Sequence, residues 1–294
     1  SMKIYNNIKL NHKHLNSVIA IGNFDGLHLG HQKVLNEAKQ KAKKKRLPFG
    51  VITFEPVPVM FFDKKIKNHR INSLEQKKLM LKIFKLDFLI IIKFNKEFSS
   101  LSAEKFIEKI IYKKTKCKYL YVSKNFRFGF KRRGNIQTLK KFEKLYGYKN
   151  IITKPFKKNN RIISSTIVRK KIRKGEINEV NKFLNRNWCV KGKVITGRKR
   201  GRKIGFPTCN LKLHNYVIPR LGVYSVRVKS KYFIKNGISN VGYRPTFNGQ
   251  NLLLETNIFG INRNLYNKVI GINFKKFIRP EKKFRNLKYL KKQI

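Results

Sequence analysis

The chain has 294 residues, room for one large or two ordinary domains with real cores, and 41% of them are hydrophobic, as in a globular protein. Lys and Arg number 71 against 14 Asp and Glu, a formal charge of +57, yet they are spread along the whole chain. This reads as surface drift with incidental polyanion or nucleic-acid binding, not a dedicated binding arm. No apolar run approaches the roughly 20 residues of a membrane span, and no signal-peptide pattern opens the chain. Cys117, Cys189 and Cys209 match no metal spacing. Together these point to a cytoplasmic protein with reduced thiols. Ser1 ahead of Met2 is set aside as an expression scar.

The first predicted element of weight is an apolar strand, Val18 to Ile21, running into Gly22-Asn23-Phe24-Asp25-Gly26-Leu27-His28-Leu29-Gly30-His31. A basic helix follows from Gly30 to Arg46 and ends before Pro48. The turn glycines allow a close backbone approach, and the new helix aims free N–H groups and a positive dipole end at the same spot. A phosphate fits there. His28 and His31, three apart on one side of the first turn, suit as imidazolium groups the charge that builds on phosphorus during transfer.

Phe49–Phe54 is the next strand, followed by Glu55-Pro56-Val57-Pro58. Ser73 and Gln76 form a predicted capping box in front of Leu79, Leu81 and Ile83. Asp87–Phe94 is apolar enough for a strand covered on both faces. A helix over Ser102–Lys114, capped by Ser102, and a strand over Tyr119–Ser123 complete an alternation that implies a parallel sheet. Ligands bind such sheets at the carboxyl ends of the strands, where the Phe24–His31 turn lies. Then come Asn125-Phe126-Arg127-Phe128-Gly129, the loop Phe130–Asn135, and Arg161 to Arg169 ahead of a further helix. Ser164 and Ser165 suit a helix cap or a phosphate, and Arg169 a phosphoryl clamp. Read alone, they are only a capped helix and a surface arginine.

After Asn185–Asn187 the helical pattern fades. Strand-like runs appear at Val190–Ile195, Gly222–Val228, Tyr232–Val241, Leu252–Phe259 and Val269–Phe277, separated by Gly, Pro and Asn turns. They predict an antiparallel barrel, with a last helix over Asn286–Ile294. The barrel opens on Gly197-Arg198-Lys199-Arg200-Gly201-Arg202-Lys203-Ile204-Gly205-Phe206-Pro207-Thr208-Cys209-Asn210, glycines and cations suited to wrapping phosphates. Thr208 and Asn210 point the same way on an extended chain and offer two neutral oxygens to a Mg²⁺ shared with ATP phosphates. Glu255 and Glu281 are the only carboxylates after Trp188.

The first block, Gly-x-Phe-Asp-Gly-x-His-x-Gly-His, resembles the HxGH nucleotidyltransferases, and among them the adenylylating half of the bifunctional bacterial riboflavin kinase/FAD synthetase family. The second, Gly-x-x-x-Gly-Arg-x-x-Gly-Phe-Pro-Thr-x-Asn, is similar to the riboflavin kinase signature. Pro219–Tyr224, Gly237–Thr246 and Arg279–Phe284 resemble later blocks of that family in order and spacing. The resemblance implies a Rossmann-like FMN adenylyltransferase domain over residues 1–186 and a small β-barrel riboflavin kinase domain over 187–294. It implies ATP contacts at Gly22, Phe24, Asp25, Gly26, His28, Gly30, His31, Ser164, Ser165, Thr166 and Arg169, and FMN contacts at Arg70, Asn125, Phe126 and Arg127. In the kinase half it implies ATP contacts at Gly197, Gly201, Lys203, Gly205, Thr208 and Asn210, with Mg²⁺ on the last two. Glu255 aligns with the family's catalytic glutamate, and His28 and His31 with its catalytic histidines. Riboflavin, FMN and ATP would be substrates, FMN and FAD products.

Val57, Ser123, Asn257 and Gly260 depart from the family pattern and bear on substrate affinity more than on catalytic identity. Two other readings stay open here: an enzyme with one working half, and a basic polyanion-binding protein on the same scaffold.

Overall fold

Residues 1–7, 9–195 and 208–281 are described by a computed structural model. They form two compact units, Ser1–Lys67 with Ser73–Ser165, and Asn68–Asn72 with Thr166–Ile294.

In the first unit the strands are β1 (Lys3–Tyr5), β2 (Val18–Ile21), β3 (Phe49–Glu55), β4 (Phe88–Lys93), β5 (Tyr119–Ser123) and β6 (Lys149–Thr153). They pair in parallel in the order β1-β4-β3-β2-β5-β6. The chain therefore winds outward from β2 in one direction and then resumes on its other side at β5. That reversal is the topological switch point where α/β sheets bind ligands, and the motif turn leaves the carboxyl end of β2. Ile19 and Ile21 face one core with Phe54, Ile90 and Phe106, while Val18 and Ala20 face the other with Val34, Leu35 and Leu89. Both faces are covered, which is why these strands read as unbroken apolar runs.

The helix Leu29–Lys45 ends on Arg46 in the left-handed conformation (φ 55°). The Ser73 capping box forms in full, with Gln76 N donating to Ser73 Oγ at 3.2 Å and Ser73 N to Gln76 Oε1 at 2.8 Å. The helix expected over 102–114 starts as predicted on its Ser102 cap but turns π-helical over Ile107–Lys114. Two strands of the main sheet and a short two-stranded ribbon escape the pattern reading. β1 is only three residues long, and β6 is a half-buried sheet edge whose Lys149-Asn150 start hides it. A two-stranded ribbon, β7 (Lys157–Lys158) with β8 (Arg161–Ile162), precedes the helix Ser165–Lys174.

The second unit holds β9 (Cys189–Lys193), β10 (Thr208–Lys212), β11 (Gly222–Lys229), β12 (Ile234–Thr246), β13 (Gly249–Ile258) and β14 (Val269–Pro280), antiparallel in the order β10-β13-β12-β11-β14-β9. Ile195, just beyond β9, bridges to Asn210 of β10, so the outer strands meet and the sheet nearly closes into a barrel. Trp188, Tyr224, Val226, Leu254 and Phe274 fill it. Trp188 lies 4.7 Å from the Phe274 ring and donates its indole N–H to Ile71 O at 2.9 Å, tying in the 68–72 segment. The helix Ile177–Leu184 also packs in this unit, with Asn181 Nδ2 donating to Phe274 O at 2.9 Å. Packing thus draws its line at Thr166, ahead of the composition change at Asn187. The helix expected over 286–294 lies outside the described residues.

Candidate functional site

The first-unit site is built by the turn between β2 and the helix Leu29–Lys45. Phe24 (φ 51°), Gly26 (φ 89°) and Leu27 (φ 42°) all adopt left-handed backbone, and burial of the Phe24 and Leu27 side chains holds that strained path. His28 is the helix N-cap. Its Nδ1 accepts from Gly30 N at 3.0 Å and His31 N at 3.3 Å. A backbone N–H only donates, so Nδ1 carries no proton and Nε2 does. His28 is therefore a neutral donor at the helix start, which revises its reading as an imidazolium. The His28 and His31 rings stack at 3.7 Å, and Phe24 meets the His31 ring edge-on at 5.4 Å. Ser165 Oγ donates to Asp25 O at 2.8 Å, bringing a second helix start to the same turn.

Lys77 was not singled out by sequence. It is 1% exposed, and its Nζ donates to Asn23 O at 2.9 Å and Thr53 Oγ1 at 3.3 Å, fixing the approach to the turn from β3. Phe126 and Phe128 stack at 5.5 Å, and Phe128 pairs with Gly134, clasping the loop between them. Asn125 and Arg127 are exposed. In the second unit Arg169 Nε donates to His69 O at 2.9 Å and Arg70 Nε to Asn72 O at 3.0 Å, and both side chains are buried. Thr166 is exposed on the helix that carries Arg169.

The second-unit site is a cleft of about 460 Å³ lined by Thr208, Asn240, Arg244, Glu255, Asn257, Arg279 and Glu281, with Val223 and Ile238 as its apolar wall. Register places Asn210 and Asn240 on either side of Glu255. The Asn210 Oδ1 atom is buried and accepts no hydrogen bond from the described residues. Arg244 forks onto Glu255, Nε to Oε1 at 2.8 Å and Nη2 to Oε2 at 3.3 Å, and reaches Glu281 with Nη1 at 2.8 Å. Burial works against the Arg244 charge, but its bonds to the two carboxylates outweigh that and hold it above the usual arginine value. Between Thr208 and Asn210, burial pushes the Cys209 thiol up to about 11, leaving it a neutral packing group. Gly197, Gly201, Lys203 and Gly205 lie outside the described residues.

Two family models match in tandem: one described as FAD synthetase over residues 10–167 and one described as riboflavin kinase over 184–294. A bifunctional riboflavin kinase/FMN adenylyltransferase of Buchnera aphidicola is 40% identical over 95% of this chain and 91% of its own length. Proteins of the same description from Bacillus subtilis (37%) and Escherichia coli (34%) match over 95% and 94% of this chain and 89% of their own length. The chain belongs to the bifunctional riboflavin kinase/FMN adenylyltransferase family.

A solved Streptococcus pneumoniae structure described as a macrolide-efflux protein superposes with a TM-score of 0.84 at 28% identity, covering 99% of this chain and 96% of that one. Among the described residues no helix is long and apolar enough to cross a membrane. Within the family's pattern, Gly30 has a specific duty. A Cβ there would stand 2.8 Å from Cε1 and 3.0 Å from Nδ1 of His28. Gly30→Ala is expected to push the ring off its cap, lowering FAD formation about tenfold, short of the roughly 100-fold of a full 1 Å misplacement. Steady-state rates with supplied FMN measure it.

Proposed function

We propose that this chain phosphorylates riboflavin to FMN in its second half and adenylylates FMN to FAD in its first, the activities dividing at about residues 186/187. The observation that carries this is the tandem of family matches, each lying over its own cluster of polar groups. ATP as the shared substrate and three cysteines that form no disulfide support a cytoplasmic site of action.

For adenylylation the FMN phosphate is already a nucleophile at neutral pH. Its oxygen attacks the α-phosphorus of ATP, and pyrophosphate leaves. The chain's task is alignment and charge stabilisation. His28 offers Nε2–H, the first turn of the helix Leu29–Lys45 offers backbone N–H groups and its dipole, and His31 stacks beside it. Ser164, Ser165, Thr166 and Arg169 are assigned to ATP, and Arg70, Asn125, Phe126 and Arg127 to FMN.

For phosphorylation, Glu255 accepts the proton of the ribityl hydroxyl as that oxygen attacks the γ-phosphorus and ADP leaves. The donor set suits Mg²⁺. Asn210, in register with Glu255, holds a buried acceptor without a partner among the described residues, and Thr208, two residues before it on β10, lines the cleft. When bound, Mg²⁺ neutralises phosphate charge. Asn210→Ala is expected to raise the Mg²⁺ concentration for half-maximal FMN formation about tenfold, as for lost partners of a metal site.

The deciding experiment incubates the protein with riboflavin, ATP and Mg²⁺ and separates flavins by chromatography over time. FMN followed by FAD is the expected result. FMN alone refutes a working first half. No conversion of riboflavin or of supplied FMN refutes the enzyme assignment.

A further inference from the structure

β12 contains Asn240-Val241-Gly242-Tyr243-Arg244, so Asn240, Gly242 and Arg244 share one face of an extended strand. Glu255 stands opposite Asn240, and Arg244 opposite Asn251. The Arg244 side chain therefore reaches back along its own strand to meet Glu255. Gly242 lies in the way and has no side chain. A methyl group there would overlap the Glu281 carboxylate and lie 2.8 Å from Arg244 Nη1. The guanidinium spends its donors on both Glu255 oxygens, on Glu281 Oε1 and, at 3.0 Å, on Tyr243 O. Asn240 Nδ2 steadies Glu281 from the other side at 3.3 Å.

We propose that Arg244, seated over Gly242 and held from behind by Glu281, is the positioning residue that aims Glu255 at the ribityl hydroxyl. This rests on the assignment of Glu255 as proton acceptor. A two-pronged fork fixes the plane of a carboxylate and leaves each oxygen further lone-pair capacity, here for the cleft. In the step it serves, the hydroxyl oxygen bonds to the γ-phosphorus, the bond from that phosphorus to the bridging oxygen breaks with ADP leaving, and the proton passes to Glu255. As a stability device the cluster is poor, because the Arg244 and Glu255 side chains are 32% and 30% exposed and solvent screens such pairs. As an aiming device it is strict. A lysine supplies the charge at 244 without the fork.

The test measures initial rates of FMN formation by the full-length protein against riboflavin and ATP. FAD formation from supplied FMN and riboflavin binding by flavin fluorescence serve as fold checks. Arg244→Lys and Gly242→Ala are each expected to lower kcat about 10- to 30-fold with both KM values within about twofold, the mark of an interaction realised in the transition state. Glu281→Gln is expected to cost about threefold alone and nothing further beside Arg244→Lys, and Arg244→Lys nothing further beside Glu255→Gln, because they act through one group. Should Gly242→Ala lose riboflavin binding, Arg244→Lys decides. A raised KM for ATP with kcat intact makes Arg244 a phosphate ligand and overturns the clamp, as do additive losses in the double variants. Full activity of Arg244→Lys beside an inactive Glu255→Gln refutes the clamp and keeps the base. An active Glu255→Gln refutes the base assignment itself.

Discussion

His31→Ala is expected to lower FAD formation from supplied FMN by roughly 100- to 1000-fold, the usual cost of one transition-state donor, while FMN formation from riboflavin stays intact. His31 sits on the first turn of the helix that leaves the switch-point strand, its ring stacked on His28 at 3.7 Å. His28 is committed to the cap through Nδ1, so its proton lies on Nε2. The two imidazoles thus stand where positive helix potential and backbone donors already converge, and neither needs to form a covalent intermediate. Removing His31 takes a donor and the stacking partner together but leaves the cap bonds of His28. The loss should therefore fall on kcat more than on KM for ATP. The kinase cluster belongs to the other compact unit, which is why that rate serves as the internal control. Equal loss of both activities would contradict the division of labour.

The elements that sequence displayed well are those whose chemistry is local. The strand–turn–helix from Val18 to Lys45 carries its cap, its glycines and its apolar run within one stretch, and the Ser73–Gln76 box within four residues. β6 escaped because an edge strand buries too little to show a period. Lys77 escaped for a different reason. In a chain with 71 basic residues nothing in the sequence marks Lys77 as buried against Asn23 and Thr53. The Arg244 fork was invisible for a third. It depends on the register of β12 against β13 and on the absence of a side chain at Gly242, over which Arg244 and Glu281 meet, and spacing reveals neither. The motif pattern Asn-x-Gly-x-Arg records that glycine, but only the fold explains why the middle residue must be small.

Glu255→Gln is expected to lower FMN formation by roughly 100-fold or more, within the range for loss of a positioned general base, and to spare adenylylation of supplied FMN. The rival for the role is Glu281, the one other carboxylate after Trp188, and both lie on the same guanidinium. Geometry separates them. Glu255 is in direct register with Asn210, whose Oδ1 accepts no hydrogen bond among the described residues and suits the ion that phosphates share, and the Glu255 side chain is 30% exposed in the cleft against 17% for Glu281. Glu281 also accepts from Asn240, which commits it further to support. Gln keeps the volume of Glu255 and one acceptor for Arg244 but cannot take a proton from a hydroxyl. Glu281→Gln should therefore cost only about threefold where Glu255→Gln removes nearly all of the rate. Single-turnover measurements with riboflavin and ATP would show the difference in the chemical step itself, and a reversal of the two effects would move the base to Glu281.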